Sequence, residues 1–407
     1  MRSAKWMVIC LSLAVVVFGL AGCSSTTDGG DEAGAEAAFA EGMDDLMDEF
    51  ESVDTEEPPW EWDVDMDGAL DDFEDALDAD SDHCGALFFS AFVRLAMVVT
   101  DEDLGDIMDE GWDDEWATRE APLLWMLEKP NVFAVADRIN RIRQDDPVLF
   151  SEIQEFIESE VRPALAYADN RLTAFETEDC SFVIEVEIPE RRETVQIEID
   201  ATDAYFIHGP LDGLQSVVDL VVSYNMDVEQ GETGYHLIEE DEDFLTLRNS
   251  DYMEDAYDQL TDMGDHLIDA CDELEGETDD QTDDLITETL GLIPLEDMMG
   301  AGAVDSIRYY AGEMLDWLID GVTYNPSVED PYDPEAPDID VYFDVEEFFN
   351  DPLDDIRDYL PFHTWEGDSV MVVTEPMSFP DPTFSNVTPG MTNSDWQDIN
   401  DWMETRR

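Results

Sequence analysis

The sequence predicts a predominantly helical α+β fold, in which helical hairpins and a helical bundle accompany a small antiparallel sheet. Several stretches repeat apolar residues every three or four positions, which is the spacing of a helix with one buried face. Two short runs alternate apolar and polar residues, as half-buried strands do. Hydrophobic residues make up 43% of the chain and aromatic residues 10%, which provides for a core and excludes a disordered chain.

The first predicted helices form a hairpin. Leu70, Phe73 and Leu77 fall on one face of a helix over 69–79, and a break at 80–82 leads to a second helix over 86–99. Apolar periodicity and helix-start signals then predict further helices over 131–143, 151–173 with a kink at Pro163, 211–224, 251–274 and 303–318.

This hairpin, at 69–97, resembles a tetratricopeptide unit. Ala69, Phe73 and Ala76 fall at the small-large-small positions of the second helix of that unit, and Leu87 and Ala91 fall at the packing positions of the helix that follows. Ser81 stands where the family usually has proline, and no second copy follows about 34 residues later. The resemblance therefore implies one hairpin and no repeat array.

Strands are predicted over 182–188 and 194–199, as a hairpin with one face towards water. Short strands over 339–343 and 369–373 are expected to extend that sheet. The segment near the end, FPDPTFSNVTPGMTNSDW, is rich in turn-forming residues and predicts an ordered clasp or, alternatively, the rim of a ligand site. Thr392 or Ser394 would cap a final helix that runs through Met403.

The amino-terminal residues predict export. Arg2 and Lys5 precede an apolar run over 7–20, which is short for a membrane span and ends at small residues before Cys23. The segment Leu20, Ala21, Gly22 and Cys23 resembles the lipobox of bacterial lipoproteins. That resemblance implies cleavage before Cys23, fatty acyl chains such as palmitate on this cysteine, and membrane anchoring. Ser24 in the next position implies transfer to an outer membrane.

The predicted organisation follows from these segments. Residues 1–22 would be a lipoprotein signal peptide, and 23–57 a lipidated, flexible, acidic tether. Residues 58–407 would form a single body, made of a helical part over 58–180, a hairpin with helices over 181–324, a Pro-rich loop over 325–338 and a carboxyl-terminal clasp over 339–407.

The charge of the chain restricts its partners. It has 106 acidic and 17 basic side chains, a formal net charge of −89, and only two lysines, Lys5 and Lys129. This composition resembles the surface of halophile proteins, where salt at about 1 M screens charges beyond roughly 3 Å. An alternative is that the acidic side chains bind divalent cations. No basic stripe is present to contact phosphates, so nucleic acid is excluded as a partner.

DVDMDGALDDFE, at 63–74, matches the calcium-loop pattern D-x-D-x-D-G-x5-E. In that interpretation Ala69 donates a carbonyl, Asp71 acts through water, and the other ligands are the carboxylates of Asp63, Asp65, Asp67 and Glu74. Two prolines, at 58 and 59, lie where the entering helix should be. The alternative is that Asp65 and Asp67 start a helix.

The remaining candidate residues are cysteines and histidines. Cys84 and Cys180 are the preferred disulfide of an exported chain, and Cys271 is expected as a buried thiol. No histidine has a partner at the spacing of a metal motif, and no catalytic motif or cofactor motif is found, so the histidines are expected at the surface or at helix caps: His83, His208, His236, His266 and His363.

The sequence therefore predicts a lipid-anchored, extracytoplasmic protein of the cell envelope that binds or scaffolds without catalysis. Its partners would be the membrane, through the anchor, and an envelope protein. One alternative is a calcium-binding surface module that uses the loop at 63–74. Another is a secreted hydrolase with carboxylates in a cleft, which predicts a deep pocket with two facing acids.

Overall fold

A computed structural model describes residues 32–51, 53, 62, 64–101, 104, 150–178, 180–188, 193–226, 243–276, 285–287, 293–295, 299–329, 336–366 and 370–405. These residues are predominantly helical and contain several two-stranded sheets, so the predicted fold class is confirmed. Cys23, Asp63, His236 and the helix expected over 131–143 lie outside the described residues.

The described helices are numbered here in chain order. They are α1 (Glu32–Glu51), α2 (Asp67–Ala79), α3 (Cys84–Val99), α4 (Phe150–Phe156), α5 (Arg162–Thr177), α6 (Ala201–Ser223), α7 (Ser250–Gly276), α8 (Ala303–Asp320), α9 (Pro326–Glu329), α10 (Val345–Asn350) and α11 (Asn393–Glu404). A π-helical turn, Ile157–Val161, joins α4 to α5, and a 3-10 helix covers Ile356–Tyr359. The π turn ends two residues before Pro163, whose missing N–H removes one regular helical hydrogen bond.

The strands pair locally in twos. They are β1 (Phe182–Ile188), β2 (Glu193–Ile199), β3 (Ile286–Thr287), β4 (Ile293–Pro294), β5 (Val322–Tyr324), β6 (Val341–Phe343), β7 (His363–Glu366) and β8 (Val370–Val373). The pairs β1–β2, β5–β6 and β7–β8 are antiparallel, and β3–β4 is parallel. The prediction that 339–343 and 369–373 extend the first hairpin is wrong, since β6 and β8 pair with strands closer in the chain, at lower cost in loop-closure entropy.

The chain divides into two compact units, where the sequence predicts one body. The first comprises the described parts of 1–131, 156–215 and 262–311, and the second the described parts of 132–155, 216–261 and 312–407. Three boundaries between parts were expected inside the body, at 180, 324 and 338, and none of them coincides with a boundary between these units. The observed boundaries that lie among described residues fall within α4, α6, α7 and α8, so each of these helices contributes residues to both units.

The first unit begins with α1, which corrects the expected tether. Ala35, Phe39, Met43 and Leu46 are buried and recur every three or four residues. The Phe39 ring packs with its centroid 5.6 Å from that of Phe73 on α2. Residues 32–51 are therefore part of the folded unit, and the prediction of a flexible tether over 23–57 is wrong for this segment.

The helical hairpin of the first unit is formed by α2 and α3, close to the predicted bounds. Phe88 on α3 lies 5.7 Å from the ring centroids of both Phe175 on α5 and Phe182 on β1. Cys84, at the start of α3, is bonded to Cys180 with a Cα–Cα distance of 5.4 Å, which is the pairing preferred from the sequence. Aromatic packing and one disulfide thus fasten α5 and β1 to the hairpin.

The second unit contains the turn-rich segment near the end of the chain. Phe379 and Phe384 are buried, and both rings pack against Trp396 of α11. The Trp396 indole Nε1–H donates to the carbonyl of Pro382 at 2.8 Å. Thr392 caps α11 through a capping box, as predicted. These contacts favour the clasp over the ligand rim.

None of the described helices is both long enough and apolar enough to cross a bilayer.

Candidate functional site

Five ionisable side chains meet inside the first unit. Asp169 and Glu176 come from α5, His208 and Asp212 from α6, and His266 from α7. We call this set the His208 centre. Ordinary helix geometry aligns its members: positions four residues apart lie one turn apart on the same face of α6, and positions seven apart lie about two turns apart on α5.

The course of α6 is what places His208 and Asp212 one turn apart. The sequence predicts a helix start at 211, directly after Gly209 and Pro210. In the structure α6 begins at Ala201 and continues through Pro210. A proline within a helix removes one hydrogen bond, and the long apolar face of α6 offsets that cost here.

His208 lies at the middle of the centre and is 0% exposed. Its Nδ1 is 2.9 Å from Glu176 Oε1, and its Nε2 is 2.9 Å from Asp169 Oδ1. Asp212 Oδ1 lies 3.6 Å from the same Nε2. Both ring nitrogens of this histidine therefore face carboxylates.

His266 repeats this arrangement next to the first ring. Its Nδ1 is 2.7 Å from Asp212 Oδ2, and its Nε2 is 3.8 Å from Glu176 Oε2. The rings of His266 and His208 are stacked, with centroids 4.1 Å apart and planes inclined by 19°. The His266 side chain is 20% exposed, so the centre approaches solvent on this side.

The carboxylates determine the protonation of the centre. Burial alone would lower the pKa of His208, but the hydrogen bonds to Asp169 and Glu176 outweigh it and raise that pKa to about 10. At neutral pH this imidazole is therefore a cation that donates both N–H groups. Burial also raises the pKa of Asp212, while the two histidines oppose that shift.

Asp212 has an unsatisfied atom. Its side chain is 0% exposed. Its Oδ2 accepts from His266, whereas no donor among the described residues makes a hydrogen bond to its Oδ1. Buried polar atoms without a partner are rare in folded proteins.

Among the described residues, two groups of three could each hold a metal ion, with candidate ligand atoms that all lie within 4.8 Å of one another. One group is Glu176, His208 and His266, and the other is Asp169, His208 and Asp212. Neither group was predicted from the sequence, because each histidine was expected alone at the surface or at a helix cap. The available signal was His208 four residues before Asp212, which depends on a helix continuing through Pro210.

The calcium-loop interpretation does not agree with the conformation of its residues. Asp67, Ala69, Asp71 and Glu74 all lie in α2, a regular helix. Ala69 is buried there, and carbonyls within a helix accept helical hydrogen bonds rather than contact an ion. Asp65 Oδ1 accepts from the Asp67 backbone N–H at 3.2 Å, as expected from the helix-start alternative.

The last calcium candidate, Glu74, has other partners. Its two oxygens accept from Arg171 Nη2 at 2.6 and 2.8 Å, and one of them also accepts from the Tyr167 hydroxyl. This carboxylate therefore joins α2 to α5. The described members of the loop therefore favour the helix-start alternative.

The hydrolase alternative predicts a deep pocket with two facing acids. The second unit has an open groove of about 280 Å³, lined by Pro337, Asp398, Asp401, Trp402 and Thr405. Asp398 and Asp401 are both exposed at its edge, so this groove does not provide the buried pair of carboxyls that such chemistry requires.

Comparisons with protein families, curated proteins and solved structures were made for the whole chain. No family model, no curated protein and no solved structure matches it.

Proposed function

We propose that this chain is an exported, lipid-anchored protein of the cell envelope that acts by binding, and that it holds a small cation at the His208 centre. The first part of the proposal is supported by the lipobox-like segment that ends at Cys23 and by the acidic, lysine-poor composition. The second part is supported by the geometry of the centre.

The buried Asp212 Oδ1 carries this proposal. A buried acceptor without a donor costs about 1–3 kcal/mol. A cation bound within the centre would remove that cost, either by direct contact or by turning the His208 Nε2–H, which lies 3.6 Å from this oxygen, towards it.

The charge of the centre also favours a cation. Three carboxylates face two imidazoles, so the centre carries a net negative charge even when both imidazoles are protonated. Buried charges need compensation, and an ion provides it.

Access to the centre indicates the size of the ligand. His208 and Asp212 are 0% exposed and Glu176 is 7% exposed. His266 and Asp169, at 20% and 28%, are the members nearest to solvent. A single ion fits this degree of burial better than an organic substrate does.

Cation binding is tested on the purified full-length protein at high sodium chloride concentration, after treatment with a chelator. Unfolding temperature is measured as sodium, potassium, magnesium, calcium, manganese or zinc salts are added at constant ionic strength. We expect at least one ion to raise it saturably, because a ligand that binds only the folded state stabilises it. Asp212→Asn should raise the ion concentration needed for the effect by about 10–100-fold, and Asp265→Asn, which removes an exposed carboxylate of α7, should leave it unchanged. No saturable effect from any ion would overturn this part of the proposal.

The anchor is tested separately by mass spectrometry of the protein from its native membrane. We expect a chain that begins at Cys23 and carries acyl groups, and a Cys23→Ser variant that remains unprocessed and leaves the membrane fraction. An intact, unacylated Met1 terminus would contradict lipid anchoring and leave the ion proposal unaffected.

A further inference from the structure

We infer that the ion is a divalent transition-metal ion bound by Glu176, His208 and His266, with Asp169 and Asp212 holding the outer nitrogens of the two imidazoles. This inference rests on the proposed cation binding at the same centre and specifies its chemistry. It makes Asp169 and Asp212 positioning residues, which act on the metal through the histidines.

The ligand types support a transition metal. Imidazole nitrogens suit zinc, iron, nickel and copper, whereas calcium and magnesium prefer shells of oxygen. Two imidazoles and one carboxylate form a ligand set known from catalytic zinc sites and from non-haem iron sites. A hard cation would leave the buried His208 ring and the partly buried His266 ring without a role as ligands.

The orientation of the rings identifies which nitrogens face the ion. His208 Nδ1 and His266 Nε2 both face Glu176, at 2.9 and 3.8 Å from its two oxygens. An ion placed between these nitrogens and Glu176 would replace only the short contact from His208 Nδ1, whose proton would leave to solvent. The candidate atoms already lie within 4.8 Å of one another, so small side-chain movements suffice.

The other two ring nitrogens have the partners that metal-bound histidines usually have. His208 Nε2 lies 2.9 Å from Asp169, and His266 Nδ1 lies 2.7 Å from Asp212. A carboxylate on the outer nitrogen of a ligating histidine fixes its tautomer and increases its basicity. Both histidines have such a carboxylate. A simple ion pair between one histidine and one carboxylate would not require a second carboxylate on the other ring nitrogen.

The competing ligand group is Asp169, His208 and Asp212. It supplies one imidazole and two carboxylates, leaves His266 out, and would suit a harder ion. In the favoured arrangement the His208 Nε2–H remains a donor, and Asp212 Oδ1 is only 3.6 Å away from that nitrogen. A small rotation would then satisfy the orphaned oxygen as well.

Three protein ligands leave at least one coordination position for water, on the side where His266 is 20% exposed. The double positive charge of the ion replaces one proton of His208, so binding makes the negatively charged centre more positive by one unit. The site is therefore expected to bind strongly and to remain accessible to small exchanging ligands.

The test uses Co²⁺ and Zn²⁺ as probes on the chelator-treated full-length protein in concentrated sodium chloride. One equivalent of Co²⁺ should produce visible d–d absorption typical of low coordination number, and one equivalent of Zn²⁺ should remove it. A hundredfold excess of Ca²⁺ or Mg²⁺ should not. Pulsed electron paramagnetic resonance of the Cu²⁺ form should detect two coordinated imidazoles, a readout that needs no variant.

Variants assign the ligands. Glu176→Gln and His266→Gln should each weaken Zn²⁺ binding more than a hundredfold, and Asp169→Asn by about 10–100-fold. Glu178→Gln is the matched control, since this exposed glutamate lies two residues beyond Glu176 and should leave binding unchanged. Circular dichroism confirms that each variant is folded before it is titrated.

The outcomes separate the two proposals. If Ca²⁺, Mg²⁺ or a monovalent ion binds in an Asp212-dependent way and Co²⁺ and Zn²⁺ bind no better, the inference is overturned and the proposed cation binding remains. If His266→Gln binds Zn²⁺ like the unmodified protein, or one imidazole is detected, the inference is likewise overturned. If no ion binds at all, both proposals fail.

Discussion

Gly209 of α6 faces Leu267 of α7 so closely that a Cβ atom at residue 209 would lie 2.9 Å from Leu267 Cγ. One turn later, a Cβ at Gly213 would lie 2.6 Å from Met263 Sδ. Small residues at these two positions let α6 approach α7. The His208 and His266 rings belong to the same pair of helices, so these glycines also set the 4.1 Å separation of the ring centroids.

Gly209→Ala is therefore expected to destabilise the protein by about 1–3 kcal/mol, because the added methyl group overpacks a close helix contact. It should also weaken cation binding, since the two histidines would move apart. Denaturant unfolding at constant high salt measures the first effect, and ion titration measures the second.

Gly312→Ala in α8 is the control. A Cβ at this position would meet no atom within 4 Å, so the helix should gain about 0.5–1 kcal/mol. Equal stability changes in the two variants would show that α6 and α7 do not depend on Gly209 for their packing.

Glu74→Gln should destabilise the protein by about 1 kcal/mol whether or not calcium is present, because the side chain loses charge-assisted hydrogen bonds from Arg171. Unfolding curves with calcium and with chelator should show the same loss. Asp71→Asn, an exposed residue of the same helix, should change stability by less than about 0.5 kcal/mol. A calcium-dependent stabilisation that Glu74→Gln removes would restore the calcium-loop interpretation.

Reduction of the disulfide should lower the free energy of unfolding by about 4 kcal/mol, because the bond closes a loop of 96 residues in the unfolded chain. Unfolding in denaturant with and without a reducing agent measures this loss. The double variant Cys84→Ala, Cys180→Ala should show the same loss and no further response to reductant. Cys271, which is buried and whose pKa burial raises to about 11, should react with thiol reagents only after unfolding.

Acidification should destabilise the protein through His83. Burial lowers the pKa of this residue below its ordinary value, although Glu36 and Asp80 oppose the shift. Above about pH 6.5 the ring is neutral in both the folded and the unfolded state and has no effect. As the pH falls below that value, the unfolded state binds a proton that the folded state resists, so stability is lost.

His83→Asn isolates this effect. The His83 Nδ1 accepts from the Ala86 backbone N–H at 3.1 Å and caps α3, and asparagine can keep that cap without titrating. Between about pH 7.5 and 5.5 the stability of the unmodified protein should fall relative to that of the variant. A constant difference across this range would contradict the assignment.

Much of the helical framework follows from local signals in the sequence. The apolar stripe of α7, with Met253, Ala256 and Ala270 fully buried, is evident from spacing alone, and so are the first hairpin and the β1–β2 pair. Because each of these elements buries one face, apolar residues recur in the sequence at the period of a helix or a strand.

Elements with weak apolar periodicity in the sequence were not predicted. The buried face of α1 includes Ala35, and Gly42 lies in close contact with Phe73. Because several residues that pack in α1 are small and many of the others are acidic, the composition of this segment resembles that of a linker. The pairing partners of β6 and β8 depend on which strand edges meet in the folded protein, and the local sequence pattern does not determine this.

The His208 centre illustrates the same limit for function. Its members are distributed over three helices between Asp169 and His266, and each one alone looks like a capping or surface residue. Only the packing of α5, α6 and α7 brings them together. In a chain with 106 acidic residues, pairs of carboxylates carry little information, and the two histidines are 58 positions apart.

The bond between Cys84 and Cys180 has a further consequence for the chain between them. Any single cut by a protease between these two positions would open the backbone without releasing a fragment, since both pieces stay covalently joined through sulfur. A nicked molecule would therefore migrate as one species on a non-reducing gel and separate into two only after reduction. For a protein expected to meet the proteases of its surroundings, such a cut need not detach α5, β1 and the residues after them from the amino-terminal helices.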